Sequence, residues 1–336
     1  MTKTATPGWP DELTRARLHV VSGKGGTGKT TLAAALALAL ATKHGGRVLL
    51  VEVEGRQGIA QLFDRPPLPY AEQHLTRVPG GGEVRALAID AEAALLEYFA
   101  MFYNLGLAGK TLRRMGAIEF ATTLAPGLRD VLLTGKVKEC VGRTDERGRH
   151  VYDAVVLDAP PTGRLVKFLD VTKAMLDVAK GGPIRGQAEG VVRLLHSGDT
   201  AVHLVTLLEE MPVRESLEAV AELTAAELRP GAVLVNRVRE PRLPARSVTA
   251  AADGRVDASR VRAGLASAGL KLAESDIDGL VAETVEHAIK VDAENRALAT
   301  LVEAGRPILR LAERTDGVDV ASLYELADEL IEQGVS

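Results

Sequence analysis

A glycine-rich run between two apolar stretches limits the folds open to this chain. Residues 18–40 read LHVVSGKGGTGKTTLAAALALAL, so that GKGGTGKT separates a short β-branched run from a long run of alanine and leucine. Glycines let backbone N–H groups converge on an anion, and the start of a helix adds partial positive charge. The stretch therefore predicts a strand, a phosphate-binding loop and a helix, in that order.

The phosphate-binding pattern is complete within this run. Gly23, four further residues, Gly28, Lys29 and Thr30 match the P-loop pattern G-x-x-x-x-G-K-[ST]. We expect the Lys29 ammonium to reach the β- and γ-phosphates and the Thr30 hydroxyl to bind Mg²⁺. A glycine-rich turn without a ligand is the structural alternative. The predicted nucleotide-binding residues of the loop are Gly23, Gly25, Gly26, Thr27, Gly28, Lys29, Thr30 and Thr31.

The rest of the chain alternates short apolar runs with longer helical stretches. Strands are predicted at Arg17–Val21, Arg47–Val53, Val84–Ile89, Tyr152–Leu157, Ala201–Leu207, Ala232–Val235 and Pro307–Leu311. Most of these runs lack polar alternation, which is typical of parallel strands covered by helices on both faces. The pattern predicts an α/β fold with a doubly wound, mainly parallel sheet. We expect one P-loop ATPase domain over residues 15–336, preceded by an N-terminal tail of residues 1–14.

Some segments break this alternation. Residues 91–141 and 171–197 read as helices that are too long for simple crossovers, so they predict helical insertions that form a lobe. Residues 56–83 are rich in proline and glycine and predict a loop. The stretch YFAMFY at 98–103 holds four of the eleven aromatic residues. It predicts core of the lobe, with a partner-binding patch as the alternative.

Composition and charge exclude several classes of function. The 41 basic and 45 acidic residues give a formal net charge of -4, without the basic excess that nucleic-acid binding requires. The longest apolar run, Leu32–Ala41, is shorter than the roughly 20 residues that span a bilayer, and no secretory signal is evident. A single cysteine, Cys140, fits a reducing compartment. We expect a cytoplasmic protein with no nucleic-acid partner and no integral membrane segment.

Several motifs together point to one family. A second lysine, Lys24, directly follows the first glycine of GKGGTGKT, and VVLDAPPTGR is an apolar strand that ends in Asp158. The segment LVNR places Asn236 near the end of a later strand, and Glu209 and Glu215 follow the strand before it. With the stretches VEVEGRQGIAQLFDRPPLPY and FATTLAPGLRDVLLTGKVKE, these motifs resemble the ArsA-type ATPases of arsenite pumps and tail-anchored protein targeting. The similarity is greatest to their paired actinobacterial branch.

This resemblance implies a role for each motif. In families with the deviant Walker A pattern, the extra lysine reaches across a dimer to the facing nucleotide, so Lys24 would act like an arginine finger. A solvated lysine beside an anion is the alternative. Asp158 would hold Mg²⁺ through a water molecule, Asn236 would contact adenine, and Glu209 would join the nucleotide site. The resemblance implies ATP and Mg²⁺ as cofactors, and a homodimer or a heterodimer with an ArsA-like paralogue.

The switch I segment departs from the family pattern. The family reads D-P-A-H-S where this chain has EGRQG at 54–58. Glu54 is the predicted water-positioning residue, but its carboxylate lies one methylene further out, and a displacement of about 1 Å can cost about 10²-fold in rate. Gly55 in place of proline also loosens the loop. We expect slow ATP hydrolysis that depends on Lys24, Lys29, Glu54 and Asp158. The alternative is a hydrolysis-poor regulatory subunit paired with an active paralogue.

Metal and client sites of the family are also altered. The chain lacks the C-x-x-C pair that binds zinc in tail-anchor factors and the three cysteines of arsenite capture, so we expect no zinc. Few methionines fall in the helical segments, although client grooves are Met-rich, and a protein client on the helical lobe stays an open alternative. A partitioning ATPase of the MinD or ParA kind is disfavoured, because no C-terminal amphipathic membrane helix or basic DNA patch is evident. We expect a nucleotide-driven switch.

Overall fold

The computed structural model of the chain describes residues 8–53, 55–103, 128–178 and 183–336. In this part of the chain eight strands form one sheet: β1 (Leu18–Gly23), β2 (Arg47–Glu52), β3 (Gln73–Arg77), β4 (Glu83–Ala88), β5 (Ala154–Asp158), β6 (Thr200–Thr206), β7 (Pro230–Val238) and β8 (Ile308–Ala312). Their order is β3-β4-β2-β5-β1-β6-β7-β8. Every neighbouring pair is parallel except β3 with β4. The predicted doubly wound, mainly parallel α/β sheet is confirmed.

Helices cover both faces of this sheet. Among the described residues they are α1 (Asp11–Thr14), α2 (Lys29–His44), α3 (Gly58–Leu62), α4 (Ala91–Tyr103), α5 (Leu128–Gly142), α6 (Thr162–Val178), α7 (Pro183–Leu195), α8 (Glu210–Ala225), α9 (Ala245–Ala252), α10 (Ala258–Ser267), α11 (Glu274–Leu301) and α12 (Val320–Glu332). A 3₁₀ turn at Val302–Ala304 leads from α11 towards β8.

The core lies on the two faces of the central strands. Successive side chains of a strand point to opposite faces, so β1 sends Val21 towards α2 and α12 and Val20 towards α6, α7 and α8. Every residue of the apolar run Leu32–Ala41 is fully buried in α2. The run is apolar on every side of α2 because this helix packs between the sheet and α12. Its composition therefore needs no contact with a membrane.

Two segments differ from what the sequence predicts. Residues 56–83, read as a loop, contain α3 and the strand β3. The strand QHLTR is mostly polar because it lies at the sheet edge, where one side faces solvent. Within the predicted N-terminal tail, residues 11–14 form α1, and Trp9 and Leu13 are buried in the core.

The helical insertions are seen in part. Residues 91–141 contain α4 and most of α5, whereas 104–127 lie outside the described residues. Residues 171–197 include the second half of α6 and all of α7. Because α6 begins at Thr162, directly after β5, the predicted insertion starts within a crossover helix. The stretch YFAMFY is the end of α4, and the structure describes its backbone alone.

Candidate nucleotide site

The glycine-rich loop joins β1 to α2 at the carboxyl edge of the parallel strands. Gly26 and Gly28 have φ angles of 88° and 90°, a left-handed conformation that side chains other than glycine rarely adopt. A Cβ on Gly23 would lie 2.3 Å from the Val205 carbonyl oxygen of β6. The glycines are therefore required by the backbone path and by close packing against the neighbouring strand. The Lys29 side chain is buried where the loop meets α2.

The two predicted Mg²⁺-binding residues lie side by side. The Thr30 hydroxyl donates a hydrogen bond of 2.6 Å to Oδ2 of Asp158, the last residue of β5. Asp158 is 8% exposed and lies in register with Val21 on β1, which brings it to the first turn of α2. A hydroxyl and a carboxylate are hard oxygen donors of the type that Mg²⁺ prefers. The residues present therefore fit a Mg²⁺ ion beside the loop.

Asn236 contacts the loop itself. Its Nδ2 donates to the Thr27 carbonyl oxygen at 2.9 Å, and its Oδ1 accepts from the Arg237 backbone N–H. A Cβ on Gly28 would lie 2.3 Å from Nδ2, so the loop and this amide are tightly packed. The resemblance predicts that Asn236 contacts adenine. In this structure its amide holds the backbone of the phosphate loop.

Lys24 is paired within its own chain. Its ammonium lies 2.5 Å from Oε1 of Glu215 on α8, and both side chains are partly exposed. Glu209 is the residue before α8 and lines a cleft of about 740 Å³ between α8 and α11. Among the described residues, no hydrogen bond joins Glu209 to the loop. The structure thus brings Glu215 to the loop through Lys24, and the role of Glu209 stays a prediction.

Switch I is described on both sides of Glu54, which itself lies outside the described residues. The carboxylate of Glu52, at the end of β2, accepts hydrogen bonds from the backbone N–H groups of Gln57 at 2.5 Å and Ile59 at 3.1 Å. Glu52 is 3% exposed. Sequence reasoning missed this residue. Its signal was a carboxylate at the end of an apolar strand, the same signal that singled out Asp158.

The segment APPTG at 159–163, which follows Asp158 and corresponds to switch II of the family, is hydrogen-bonded to the start of the phosphate loop. The buried Ser22 hydroxyl donates to the Pro160 carbonyl oxygen at 2.6 Å, and the Ala159 N–H donates to the Val21 carbonyl oxygen at 2.9 Å. Ser22 is the residue before the first loop glycine and was also missed from the sequence. The two hydrogen bonds connect APPTG of switch II to β1.

A smaller cleft of about 240 Å³ lies between the two switch segments and α5. Its lining includes Arg56 from switch I, Arg129 and Asp130 from α5, and Arg164 from switch II. Burial raises the pKa of Asp130, and the nearby cations Arg164 and Arg129 oppose that shift. Charged side chains of both switch segments and of α5 therefore line the same cleft.

This loop, at the carboxyl edge of a doubly wound sheet and beside a paired threonine and aspartate, defines a P-loop nucleotide-binding protein. The sequence model of the family described as Anion-transporting ATPase matches residues 16–185. The chain is 60% identical to ATPase BagA of Mycobacterium tuberculosis, over 98% of this chain and 96% of that protein. It is 26% identical to ATPase GET3 of Zygosaccharomyces rouxii, over 60% of this chain and 58% of that protein. The chain belongs to the anion-transporting ATPase family.

Family membership confirms the predicted ArsA-type relationship and, with it, ATP as the nucleotide of the site. In the part of the chain that the structure describes, no helix has the length and apolar character needed to cross a membrane. Within the same residues, no three His, Cys, Asp or Glu side chains are grouped so as to hold a metal ion. The Thr30–Asp158 pair accordingly offers Mg²⁺ few protein ligands, and Mg²⁺ usually keeps several waters.

Proposed function

We propose that this chain binds MgATP at the loop 23–31, hydrolyses it, and uses the change of nucleotide state to alter its contacts with a partner. The observation that carries the proposal is the hydrogen bond between Thr30 and Asp158 beside the loop. It joins the first turn of the P-loop helix to the start of switch II. A Mg²⁺ ion bound there would neutralise charge on the β- and γ-phosphates.

Each part of the site has a role in this proposal. The loop N–H groups and the Lys29 ammonium hold the phosphates, and the positive end of α2 favours the same anion. Thr30 and Asp158 would hold a Mg²⁺ ion, which would supply positive charge beside the phosphates. Asn236 keeps the loop in shape through Thr27. The Ser22–Pro160 hydrogen bond then carries a change at the phosphates into switch II.

A dimer forms part of the proposal. Lys24 is the residue that would complete a facing active site, and in one subunit its ammonium is engaged by Glu215. The partner is a second copy of the chain or an ArsA-like paralogue. Both Lys24 and Glu215 are partly exposed, which leaves the lysine able to exchange one anionic partner for another. A protein client on the helical lobe would respond to the closed and open states of this dimer.

Calorimetry with MgATP tests the proposal. Lys29→Ala removes a charge-assisted contact worth about 1.5–3 kcal/mol, which corresponds to a roughly 10- to 150-fold loss of affinity. Lys43→Ala is the matched control, because Lys43 is an exposed lysine at the other end of the same helix. Equal affinity of wild type and Lys29→Ala, or no binding by wild type, would overturn the proposed site.

Magnesium dependence provides a second test. Thr30→Val keeps the shape of the side chain and removes the hydroxyl, so Mg²⁺ should no longer strengthen ATP binding as it does in the wild type. Thr42→Val, which removes a hydroxyl bonded to the Leu38 carbonyl in the same helix, should preserve the Mg²⁺ effect. If Thr30→Val retains the full Mg²⁺ effect, the ion does not bind at this position.

A second candidate function rests on switch I. Gly55 replaces the family proline, and Glu54 replaces the aspartate that positions the attacking water. Such a subunit would bind ATP and regulate an active paralogue with little turnover of its own. ATP turnover, measured for the chain alone and with the paralogue, distinguishes the two functions. Turnover by the isolated chain favours the enzyme. Turnover that appears only with the paralogue, and that is lost only when the P-loop of the paralogue is mutated, favours the regulatory subunit.

A further inference from the structure

A buried carboxylate fastens switch I to the end of β2. Glu52 is in register with Asp158 on the neighbouring strand β5, and its side chain is 3% exposed. One carboxylate oxygen accepts from the Gln57 N–H and the other from the Ile59 N–H. Both partners belong to the segment that corresponds to switch I, and they flank Gly58, where α3 begins. The two oxygens of the Glu52 side chain thus hold the loop backbone at two positions, Gln57 and Ile59.

The burial of this carboxylate is explained by those two amides. A charged group withdrawn from water is costly unless hydrogen bonds compensate it. The first N–H groups of a helix have no partner within the helix, and Gln57 at the N-cap position makes no capping bond with its own side chain. Glu52 supplies the missing acceptors from outside the helix. Hydrogen bonds to an ionised group are roughly twice as strong as neutral ones.

A second contact fixes the same turn from its other side. The Gln57 side-chain amide donates to the Leu68 carbonyl oxygen at 3.2 Å and accepts from the Leu68 N–H at 2.7 Å. Gln57 itself has φ of 56°, a left-handed conformation that these contacts stabilise. A Cβ on Gly58 would lie 3.1 Å from Cγ2 of Thr30. The turn is therefore held directly against the threonine that binds Mg²⁺ in the proposed function.

We propose that Glu52 is a positioning residue for ATP hydrolysis, which holds the switch I backbone against Thr30 through the Gln57 and Ile59 amides. This inference rests on the proposed function. In the sequence, Glu52 and its partner Gln57 stand on either side of Glu54. Glu52 supplies the restraint that a proline at position 55 would otherwise give, because both reduce the number of conformations open to the loop. It acts through the backbone and not on the substrate.

Two variants and one control test the role of Glu52. Glu52→Gln keeps the length of the side chain but replaces one acceptor oxygen with a donor, and Glu52→Asp keeps the charge but shortens the reach. Glu83→Gln is the control, because Glu83 pairs with Arg47 at the opposite end of the neighbouring strands. Amide hydrogen exchange in the nucleotide-free protein measures directly how firmly Glu52 holds the Gln57 and Ile59 N–H groups, a contact called the Glu52 clamp. Steady-state kinetics with MgATP reports its effect on hydrolysis.

In Glu52→Gln we expect exchange to rise at least about 10-fold at whichever of the Gln57 and Ile59 amides loses its acceptor, since a lost charge-assisted bond is worth about that factor or more. kcat should fall about 10- to 100-fold, while KM changes less than about threefold, because the phosphate loop is untouched. Glu52→Asp should lie between Glu52→Gln and the wild type in both measurements. If Glu52→Gln does not fold, Glu52→Asp gives the same comparison.

The two proposals fail in different ways. Unchanged exchange at both amides, or wild-type turnover retained in Glu52→Gln, would overturn the role of Glu52 and leave the ATPase proposal standing. A rise in KM equal to the fall in kcat/KM, with kcat unchanged, would also overturn it, since the loop would then serve binding and not hydrolysis. Absence of turnover by the wild type, alone and with its paralogue, would overturn the proposed hydrolysis itself, and with it any role of Glu52 in that reaction.

Discussion

The ammonium of Lys24 and the carboxylate of Glu215 form an ion pair of 2.5 Å within one subunit. The lysine that the family resemblance assigns to a facing active site is therefore engaged by its own chain. An exposed ion pair is worth about 0–1 kcal/mol, so the energy required to release Lys24 is small. In the proposed dimer, the pair would be weak enough to be exchanged for the phosphates of the facing nucleotide.

Glu215→Gln should free Lys24 and strengthen the nucleotide-dependent dimer by up to about fivefold, which corresponds to at most about 1 kcal/mol. Lys24→Ala should abolish the effect of MgATP on assembly, because the charge in trans is lost. Analytical ultracentrifugation with and without MgATP measures both. The control is Glu210→Gln, whose carboxylate lies on the same helix and pairs with Arg214. Assembly and turnover that are unchanged in Lys24→Ala would contradict the trans role.

Ser22→Ala should separate switch II from the phosphate loop. The variant leaves the buried Pro160 carbonyl without its donor, and such a loss costs about 1–3 kcal/mol of unfolding free energy. The matched control is Ser216→Ala, since Ser216 is also buried and donates to a carbonyl, that of Pro212. Chemical denaturation should give similar losses for both variants. Only Ser22→Ala should lower kcat, and equal kcat in the two variants would show that the Ser22 contact is structural alone.

Two buried histidines lie at the opposite end of the sheet from the loop. The Ala232 N–H donates to Nδ1 of His203, so Nε2 of His203 carries its proton and donates to Nδ1 of His19 at 3.1 Å. Nε2 of His19 then donates to the Ala16 carbonyl oxygen at 3.0 Å. The Trp9 ring stacks on both. Both imidazoles are neutral, and a further proton would break this chain of hydrogen bonds.

Stability should therefore fall in mild acid. Burial lowers the pKa of His19 from 6.5 to about 4, with His44 adding repulsion, and burial followed by repulsion from His19 lowers the pKa of His203 well below its usual value. Below pH 6.5 the histidines of the unfolded chain bind protons that the buried histidines of the native state do not bind. The unfolding free energy therefore decreases as pH falls towards 4. Between pH 7.5 and 5 the loss from His19 is about 2 kcal/mol, and the lowered pKa of His203 adds to it in the same direction.

Urea denaturation at pH 7.5 and pH 5 measures this loss. His203→Gln removes one of the two titrating groups and should reduce the difference between the two pH values. His74→Gln, at an exposed position on β3, is the control and should leave the difference as in the wild type. A wild-type protein that is equally stable at both pH values would show that the buried imidazoles do not govern acid stability.

The fold could be predicted from the sequence because its signals are local. Seven strands are apolar runs, and the loop residues carry their own glycine pattern. The strand β3 escaped notice because an edge strand needs few apolar side chains. Thr30 and Asp158 were predicted together from two separate motifs and lie together in the structure. Glu52 was not predicted although it ends an apolar strand as Asp158 does, because its partners are backbone amides, and no side chain identifies them in the sequence.

Glu54 provides the sharpest prediction about rate. If its carboxylate is one methylene too far to hold the attacking water, the chain should bind ATP well and hydrolyse it slowly. Glu54→Asp should then raise kcat with little change in affinity, because only the transition state gains. Glu54→Ala should lower kcat further. The kinetics of the three proteins, each alone and with the paralogue, measure the effect.

The Glu52 clamp sharpens this prediction. If Glu52 holds the backbone at Gln57 and Ile59 as proposed, the activity of a position 54 variant should depend on those two contacts. Glu54→Asp should therefore gain activity only while Glu52 is intact, and the double variant with Glu52→Gln should lose most of that gain. Double-mutant analysis measures this coupling between the two carboxylates. Fast wild-type turnover that falls in Glu54→Asp would contradict the argument, since the glutamate would then already match a loop remodelled around Gly55.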